Sequence, residues 1–288
     1  MAELNGVARR LERGERVFAS FCAPNANAAL DLSTTSYDAV LFEAEHKPWD
    51  VPELRNAFQY LLNRRTILEA GGPAPAITPL VRIPPNGSER AQWHAKQALD
   101  LGAYGIVWPH ITSVEEAANA VAACRYPGVD QHGPAGQRGD SPVAAARYWG
   151  VPLDEYYRRA GVWSLDDDGE ILVVIMIEDR AGIENLDDIL EQVPGIGLVL
   201  IGEGDLSQEL GVPRQFEHPT VLAHKERVLT ACAKHGVAVG HPHVTAANAE
   251  RALADGYRFL MTAPVVTYPG LEVARQLSER DRPNIDVN

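Results

Sequence analysis

Eight short apolar segments, most of them separated by stretches of helical periodicity, constrain the fold of this 288-residue chain more than any other feature. Short apolar runs bounded by turn residues are typical of buried strands. The predicted strands are Val17–Cys22, Ala39–Phe42, Thr78–Ile83, Gly105–Trp108, Leu172–Ile177, Leu198–Ile201, Val237–Gly240 and Arg258–Thr262. Alternation of strands with helices predicts a parallel sheet, and eight such units predict a single-domain (β/α)₈ TIM barrel over residues 1–288.

The helices are predicted from apolar spacing and from capping residues, such as the capping-box pair Ser113 and Glu116. They are Leu4–Arg13, Asn25–Thr34, Val51–Asn63, Ser88–Leu101, Ser113–Cys124, Val151–Ala160, Gly182–Gln192, Thr220–His235, Thr245–Asp255 and Gly270–Glu279. An extended region, residues 126–169, separates the fourth and fifth strands, and its aromatic residues argue against plain disorder. The polar tail, residues 280–288, is expected to fray.

An open, doubly wound α/β sheet is the alternative fold. Such a sheet usually carries a glycine-rich phosphate loop after its first strand. The first turn here is Cys22-Ala23-Pro24-Asn25, and the sequence contains neither GxGxxG nor GxxxxGK[ST]. The barrel is therefore the preferred prediction.

The composition limits the partners and the compartment. A formal charge of −13 argues against nucleic acid and anionic membranes as partners, and no apolar run approaches the roughly 18 residues of a membrane helix. The N-terminal 16 residues lack the apolar core of a signal peptide. Three widely spaced cysteines fit a reducing cytoplasm, and Cys124 is read as a buried structural thiol rather than a nucleophile.

Two predicted strands end in carboxylates. Glu178 directly follows the fifth strand, and Asp205 follows the sixth after Gly202-Glu203-Gly204. Parallel α/β folds place their chemistry at the C-terminal ends of strands, and two carboxylates there suit a hard divalent cation. Either residue alone could instead be a helix cap or a loop carboxylate, but the matching positions favour a metal site.

Further polar residues would share the same barrel rim. They are Glu43, Glu45, His46, Arg82, His110 and His241. Arg82 could clamp developing negative charge or could form an ion pair that closes the barrel. His46, flanked by Glu43 and Glu45, could act as a base, whereas the roles of His110 and His241 stay open. Gly204 would let the backbone approach a bound carboxylate.

These strand ends resemble the HpcH/HpaI aldolase and citrate lyase family of class II pyruvate aldolases, from about Val17 to about Gln276. The segments that carry the resemblance are Phe42-Glu43-Ala44-Glu45-His46, Pro79-Leu80-Val81-Arg82, Lys96-Gln97-Ala98-Leu99-Asp100-Leu101-Gly102-Ala103, Arg125-Tyr126-Pro127, Gly136-Gln137-Arg138-Gly139, Ile177-Glu178 and Ile201-Gly202-Glu203-Gly204-Asp205-Leu206-Ser207.

The resemblance implies a TIM barrel that assembles as a hexamer, a trimer of swapped dimers. It assigns the metal ligands to Glu178 and Asp205, with Mg²⁺, Mn²⁺ or Co²⁺ as the cofactor. It assigns Arg82 to the pyruvyl keto oxygen and the backbone at Gly204 and Asp205 to the pyruvate carboxylate. The catalytic set that it implies is His46, Arg82, Glu43 as the partner of His46, and Asp100, which would be offered to a neighbouring subunit.

Three positions depart from the family pattern. Glu203 stands where a proline is usual, Met176 where a glutamine is usual, and His110 where an apolar residue is common. All three touch the predicted pocket, so a substrate different from those of the family's best-known members is expected.

The resemblance implies a cytoplasmic, metal-dependent aldolase of aromatic-compound catabolism that acts on pyruvate or a related 2-oxo acid and an aldehyde, making or cleaving 4-hydroxy-2-oxo acids. A citrate-lyase-like enzyme acting on an acyl-CoA ester is one alternative, although no basic patch for CoA phosphates is evident. A Schiff-base aldolase would need a buried strand-end lysine, but Lys96, Lys225 and Lys234 fall in predicted helices, and Lys47 would point away if His46 points inward. A non-catalytic barrel that binds 2-oxo acids is the third alternative.

Overall fold

Eight parallel strands close into a barrel in the computed structural model, which describes residues 3–84, 92–129 and 131–262. The strands are β1 Val17–Cys22, β2 Ala39–Glu43, β3 Thr78–Arg82, β4 Gly105–Trp108, β5 Leu172–Ile177, β6 Leu198–Ile201, β7 Ala238–His241 and β8 Phe259–Thr262. Each strand pairs with its neighbours in sequence, and β1 pairs with β8. The predicted barrel is therefore confirmed, and the open sheet is wrong.

Alternate residues of each strand face the barrel interior, because side chains in a strand point to opposite faces in turn. On β5 and β6 the inward set is Leu172, Val174, Met176, Leu198 and Leu200. The intervening residues pack against the surrounding helices. Glu178 continues the inward row of β5 beyond the strand end, and Arg82 does the same on β3 above Leu80. The period of two thus directs both side chains into the barrel mouth.

Twelve helices surround the barrel in the described residues. They are α1 Gly6–Glu12, α2 Ala26–Leu32, α3 Val51–Leu61, α4 Arg64–Ala70, α5 Gln92–Asp100, α6 Val114–Cys124, α7 Val143–Trp149, α8 Leu153–Arg159, α9 Arg180–Gln192, α10 Glu203–Glu209, α11 Pro219–His235 and α12 Ala249–Ala254. The capping box of Ser113 and Glu116 forms as predicted. None of these helices combines the length and the apolar character that crossing a bilayer requires.

Three helices were not predicted, namely α4, α7 and α10. Neither α7 nor α10 begins with a side-chain cap, so the usual sequence signal for a helix start is missing. The helix predicted at Gly270–Glu279, the polar tail at 280–288 and the expected N-cap Ser88 lie outside the described residues.

The section between β4 and β5 packs onto the barrel's own helices. Trp149 is buried, stacks on Tyr104 with ring centroids 4.6 Å apart, and donates a hydrogen bond to the Gly102 carbonyl at 2.9 Å. Tyr156 is also buried, and only Tyr157 is well exposed among these aromatics. The chain itself therefore covers Trp149 and Tyr156, which fits the expectation that this region is not plainly disordered.

The three cysteines are buried as free thiols. Burial raises the pKa of the Cys124 thiol to about 12, although Arg138 and a hydrogen bond with Trp108 act in the opposite direction. A thiol with so high a pKa is protonated at neutral pH and makes a poor nucleophile. Cys124 is thus a core residue, as predicted.

Candidate active site at the barrel mouth

Three side chains at the barrel mouth form a cluster that could hold a metal ion. Glu178 follows β5, Asp205 lies in the first turn of α10, and His110 follows β4. One potential ligand atom from each residue lies within 4.8 Å of those of the other two. The cluster thus brings together the two predicted ligands and adds an imidazole. Carboxylate oxygens with one histidine nitrogen fit a divalent ion such as Mg²⁺, Mn²⁺ or Co²⁺.

The electrostatics of this cluster also favour a cation. Burial raises the pKa of Glu178 to about 7 against the lowering effect of His110, and Glu45 and Asp205 add smaller increases. The hydrogen bond to Glu45 and the nearby carboxylates raise the pKa of His110 to about 9 against the effect of burial. The carboxylates of this cluster therefore repel one another when ionised, and a bound divalent cation would offset that repulsion.

His110 is held by its backbone as well as by its ring. Its N–H donates to Glu178 Oε1 at 2.6 Å, and its ring lies 3.5 Å from both Glu178 and Glu45. The backbone φ of +54° is in the left-handed region, which costs energy for a residue with a Cβ and is common at functional sites. The role of His110 could not be predicted from the sequence, because a single histidine after a proline belongs to no recognisable metal-binding or catalytic spacing.

Arg82 occupies the centre of a second group in the mouth. Its Nη2 pairs with Glu43, its Nη1 lies 3.0 Å from Glu45 Oε2, and its guanidinium lies 5.0 Å from the centre of the Phe21 ring. The ion-pair interpretation of Arg82 is therefore correct as a description of its contacts. Its buried Nε has no hydrogen-bond partner among the described residues, which leaves a donor for a ligand.

His46 lies at the outer edge of the mouth, with about two thirds of its side chain exposed. Glu43 accepts hydrogen bonds from the backbone N–H groups of Glu45 and His46, at 2.9 and 3.1 Å, and does not contact the His46 ring. Among the described carboxylates, Glu45 pairs with that ring, with 3.6 Å between Oε2 and Nε2. Within one chain, Glu45 thus takes the position beside His46 that the resemblance gave to Glu43.

Asp100 lies away from the mouth in its own chain. It is the last residue of α5, directly before β4, and so lies at the opposite end of the barrel from the strand C-termini. Its carboxylate accepts a hydrogen bond from Arg138 at 3.1 Å. Burial raises its pKa, and Arg138 only partly opposes this shift. Asp100 is therefore too far from the mouth of its own barrel to act there.

The chain is similar to known proteins over most of its length. The sequence model of the HpcH/HpaI aldolase/citrate lyase family matches residues 20–263. The chain belongs to this family. A 2-keto-3-deoxy-L-rhamnonate aldolase from Klebsiella pneumoniae subsp. pneumoniae is 33% identical over 259 residues, which cover 89% of this chain and 85% of that protein. A protein of the same name from Salmonella typhimurium is 33% identical over 257 residues, 87% of this chain and 83% of that protein.

Solved structures agree with this assignment. The crystal structure of an HpcH/HpaI aldolase/citrate lyase family protein from Burkholderia cenocepacia superposes with a TM-score of 0.77 at 27% identity and covers 96% of this chain and 98% of that one. The structure of an HpcH/HpaI aldolase from Desulfitobacterium hafniense, at 24% identity and a TM-score of 0.74, shows the same fold with 96% and 98% coverage. The resemblance drawn from the sequence is confirmed, and the chain is an enzyme of this lyase family.

Glu203, one of this family member's departures from the usual pattern, is fully buried at the start of α10. It pairs with Lys225 of α11 and lies 2.7 Å from His243 Nδ1 and 3.7 Å from His241 Nε2. Burial raises the pKa of Glu203, but His243, His241 and Lys225 together bring it below its usual value. We call Glu203, Lys225, His241 and His243 the Glu203 cluster.

His241 belongs to this cluster and not to the metal ligands. It ends β7 three residues after the inward-facing Ala238, so its side chain lies on the outward face, towards α11. Its Nε2 is 3.3 Å from Lys225 Nζ, and burial lowers its pKa to about 4. The sequence missed the cluster because its members are far apart in sequence and come together only through the packing of α11.

Gly202 leaves the space that the Glu178 carboxylate fills. A Cβ built at Gly202 would lie 2.2 Å from both Cβ and Oε2 of Glu178, whereas one at Gly204 meets nothing within 4 Å. We expect Gly202→Ala to displace Glu178 and to weaken Mn²⁺ binding about 10- to 100-fold. Titration calorimetry measures the effect, with Gly204→Ala as the matched control. Equal Mn²⁺ affinities of the two variants would contradict this account.

Proposed function

We propose that this protein is a divalent-metal-dependent aldolase that joins pyruvate, or a related 2-oxo acid, to an aldehyde and cleaves the resulting 4-hydroxy-2-oxo acid. The observation that carries the proposal is the cluster of His110, Glu178 and Asp205 in a barrel mouth that also holds Arg82. A 2-oxo acid offers a carboxylate and a keto oxygen, which together suit a cation and an arginine. The names of the curated relatives, aldolases for a 2-keto acid, support this substrate class.

Each residue then has a defined task. Glu178 and Asp205, with His110 beside them, would hold the cation, which supplies Lewis-acid polarisation of the 2-oxo acid when bound. Arg82 would donate to the keto oxygen as negative charge develops there during C–C cleavage. The backbone at Gly204 and Asp205 would hold the substrate carboxylate, since the space beside Gly204 is open.

His46 would move the proton of the aldol hydroxyl, with the Glu45 carboxylate beside its ring. Its exposure in the single chain leaves room for substrate or for a neighbouring subunit to cover it. Cleavage of the C–C bond requires a base that removes the proton of the aldol hydroxyl, and His46 would supply that base at the edge of the mouth.

The direct test is exchange of the pyruvate methyl protons with deuterium, followed by NMR, in metal-loaded and EDTA-treated enzyme. Formation of the enolate requires no aldehyde, so the test is independent of the unknown acceptor. We expect exchange only with the metal ion. Tight binding of pyruvate without exchange, and without turnover of any aldehyde, would instead support a non-catalytic binding barrel.

A Schiff-base aldolase is the main mechanistic rival, and Lys225 is the relevant lysine. It is buried near the end of β6, but Glu203 pairs with its ammonium group, and a protonated amine is not nucleophilic. Borohydride reduction in the presence of pyruvate distinguishes the two mechanisms by mass spectrometry. We expect no adduct in the wild-type enzyme, and a pyruvyl adduct on Lys225 would overturn the metal mechanism.

Cleavage of an acyl-CoA ester in the manner of citrate lyases is supported less well. A CoA substrate needs several cations for its phosphates. The described mouth is mainly acidic, with Glu43, Glu45, Glu178 and Asp205 against the single guanidinium of Arg82. A small 2-oxo acid and an aldehyde are therefore the proposed substrates, without a nucleic acid or a membrane as partner.

We further propose that the active protein is a homo-oligomer, a hexamer formed as a trimer of dimers, in which Asp100 of one subunit supports His46 of another. In the single chain, His46 is exposed and Asp100 lies far from the barrel mouth, and both observations are compatible with such a shared site. Placement in the cytoplasm and in aromatic-compound catabolism stays a prediction from the resemblance. The sequence also predicts that the amphipathic segment 268–277 packs on a neighbouring subunit, and this segment lies outside the described residues.

Subunit complementation provides the test of sharing. His46→Ala and Asp100→Ala are each expected to be inactive, and mixing them under conditions of subunit exchange should restore part of the activity. Activity returns because some mixed interfaces pair an intact His46 with an intact Asp100. Absence of recovery despite exchange shown by native mass spectrometry, or a fully active monomer, would remove the shared site.

A further inference from the structure

A buried arginine lies outside the barrel mouth, in the loop between α6 and α7. The Arg138 side chain is fully buried, although loops usually turn charged side chains towards water. Its guanidinium lies 4.4 Å from the centre of the Tyr126 ring and 5.9 Å from that of Tyr156. Its Nη2 donates to the Tyr156 hydroxyl at 2.8 Å. Burying a charge is costly unless it is hydrogen-bonded and paired, so the fold must compensate for this arginine at close range.

The backbone of the loop holds Arg138 in this position. The Arg138 N–H donates to the Arg125 carbonyl at 2.8 Å. Gly136 permits this fold, because a Cβ built there would lie 2.1 Å from the Tyr126 carbonyl oxygen. The Arg125 guanidinium donates to two further carbonyl groups of the loop, at 2.7 and 2.8 Å. Arg125, Gly136 and Arg138 belong to segments that carry the family resemblance, yet none of these contacts involves the mouth of the same barrel, so their role must be sought elsewhere in the molecule.

Arg138 also contacts Asp100, the last residue of α5. Its Nη2 donates to Asp100 Oδ1 at 3.1 Å. No other side chain in the described part of the chain hydrogen-bonds this carboxylate, and about one fifth of the Asp100 side chain is exposed. One carboxylate oxygen is therefore fixed by a buried group, while Oδ2 stays open to a group from outside the chain. A neighbouring subunit could supply such a group.

The charge of Asp100 depends on Arg138. Burial raises the pKa of Asp100, Arg138 and then Lys96 lower it, and Asp140 acts in the same direction as burial. The two tyrosines that pack on Arg138 are neutral at ordinary pH, because burial raises their pKa values. Without Arg138, Lys96 would have to oppose both burial and Asp140, so more of Asp100 would be protonated at a given pH. A neutral carboxylic acid stabilises a cationic imidazole less well than a carboxylate does.

We propose that Arg138 is a positioning residue of the shared active site, holding the Asp100 carboxylate so that its free oxygen accepts a hydrogen bond from His46 of a neighbouring subunit. The proposal rests on the proposed aldolase function and adds to it a residue that touches neither the substrate nor the cation. Arg138 acts through Asp100, so it is needed on the subunit that supplies Asp100. Its loss from the subunit that supplies His46 should leave that site intact.

Removal of the guanidinium provides the kinetic test. Arg138→Met should lower kcat about 10- to 100-fold, because Asp100 is no longer fixed, and should leave KM nearly unchanged. The acidic limb of the pH profile of kcat should also move to higher pH, because the pKa of Asp100 rises when Arg138 is lost. Arg138→Lys keeps a positive charge and should recover part of kcat and part of the pH shift. The reaction followed is the release of pyruvate from 4-hydroxy-2-oxopentanoate.

Arg159→Met is the matched control. Arg159 is a buried arginine of α8 that pairs with Glu170 at 3.1 Å, and no contact joins it to Asp100 in the described part of the chain. Loss of a buried ion pair should lower Tm, but the pH profile of kcat should keep its wild-type position. An equal shift of the profile in Arg159→Met and Arg138→Met would overturn the proposal, because it would be a general effect of removing a buried arginine.

Subunit exchange tests where Arg138 acts. Mixed with His46→Ala, Arg138→Met should regain activity, because some sites then combine an intact His46 from one subunit with an intact pair of Arg138 and Asp100 from the other. Mixed with Asp100→Ala, it should regain none, because no subunit carries the intact pair. Recovery with Asp100→Ala, or none with His46→Ala, would overturn the proposal, as would a wild-type kcat in Arg138→Met. Should Arg138→Met fail to fold, Arg138→Gln, which keeps a donor without the charge, takes its place in the same mixtures.

Deuterium exchange into the pyruvate methyl group keeps this test separate from that of the aldolase function. If the wild-type enzyme shows no metal-dependent exchange, the aldolase function itself is wrong. If exchange is normal and the mixture of His46→Ala with Asp100→Ala stays inactive, the shared site is wrong, and with it the role of Arg138. If that mixture regains activity and the two Arg138 mixtures do not differ as expected, only the role of Arg138 is wrong.

Discussion

Glu178→Gln or Asp205→Asn is expected to lower kcat by more than about 100-fold, because each removes a charged ligand from the proposed cation site. EDTA treatment should abolish the activity of the wild-type enzyme, and Mg²⁺, Mn²⁺ or Co²⁺ should restore it. Turnover is followed as pyruvate release from a 4-hydroxy-2-oxo acid. Full activity in enzyme shown to be metal-free by elemental analysis would disprove the central proposal.

Thermal denaturation distinguishes loss of the site from loss of the fold. Burial, with a smaller contribution from neighbouring carboxylates, raises the pKa of Glu178 to about 7. Without a cation, the folded state therefore loses stability as the pH rises from the ordinary pKa of a glutamate side chain through 7. Glutamine carries no charge and removes this penalty. The metal-free Glu178→Gln variant should therefore be at least as stable as the metal-free wild type above pH 7, and added Mn²⁺ should raise Tm only in the wild type. A large fall in Tm would show instead that Glu178 is needed for folding.

Arg82→Lys is expected to reduce kcat about 100-fold or more even though the positive charge is kept. Arg82 contacts Glu43 and Glu45 with separate nitrogens, and its Nη1 lies 3.7 Å from Met176 Sδ. Its Nε donates to no group in the described part of the chain and could therefore donate to the substrate. An ammonium group is a point charge and cannot make this forked set of contacts.

A matched control is available in Arg180, an exposed arginine of α9 that pairs with Glu209 at 3.0 Å. Arg180→Lys should leave both kcat and Tm close to the wild-type values, since exposed ion pairs contribute little. If Arg82→Lys lowers Tm while kcat stays unchanged, Arg82 serves only as the ion pair that closes this side of the mouth.

The sequence was sufficient to predict the barrel and the carboxylates at its rim, because both follow from local patterns. Each strand is a short apolar run, and the residue that follows it lies at the same end of the barrel as the others. Glu178 and Asp205 could be paired in this way although 27 positions separate them. Strand periodicity also accounts for the inward direction of Arg82.

Features that depend on tertiary contacts could not be read from local patterns. The left-handed backbone of His110 turns its ring between Glu45 and Glu178, and no sequence rule gives that turn. The pairing of Glu203 with Lys225 requires the register of α11 against β6. The position of Glu45 beside the His46 ring depends on the conformation of the loop after β2, in which Glu43 accepts hydrogen bonds from the backbone of Glu45 and His46.

The short helix α10 has a consequence for how the barrel mouth and its support can change independently. Its first turn presents Asp205 to Glu178 and His110, and Glu203 to Lys225 of α11 and to His243. A single codon change at position 203 therefore alters the contact with α11 and leaves in place the carboxylate that would hold the cation. Chemistry and packing are thus assigned to adjacent but separable positions of one helical turn.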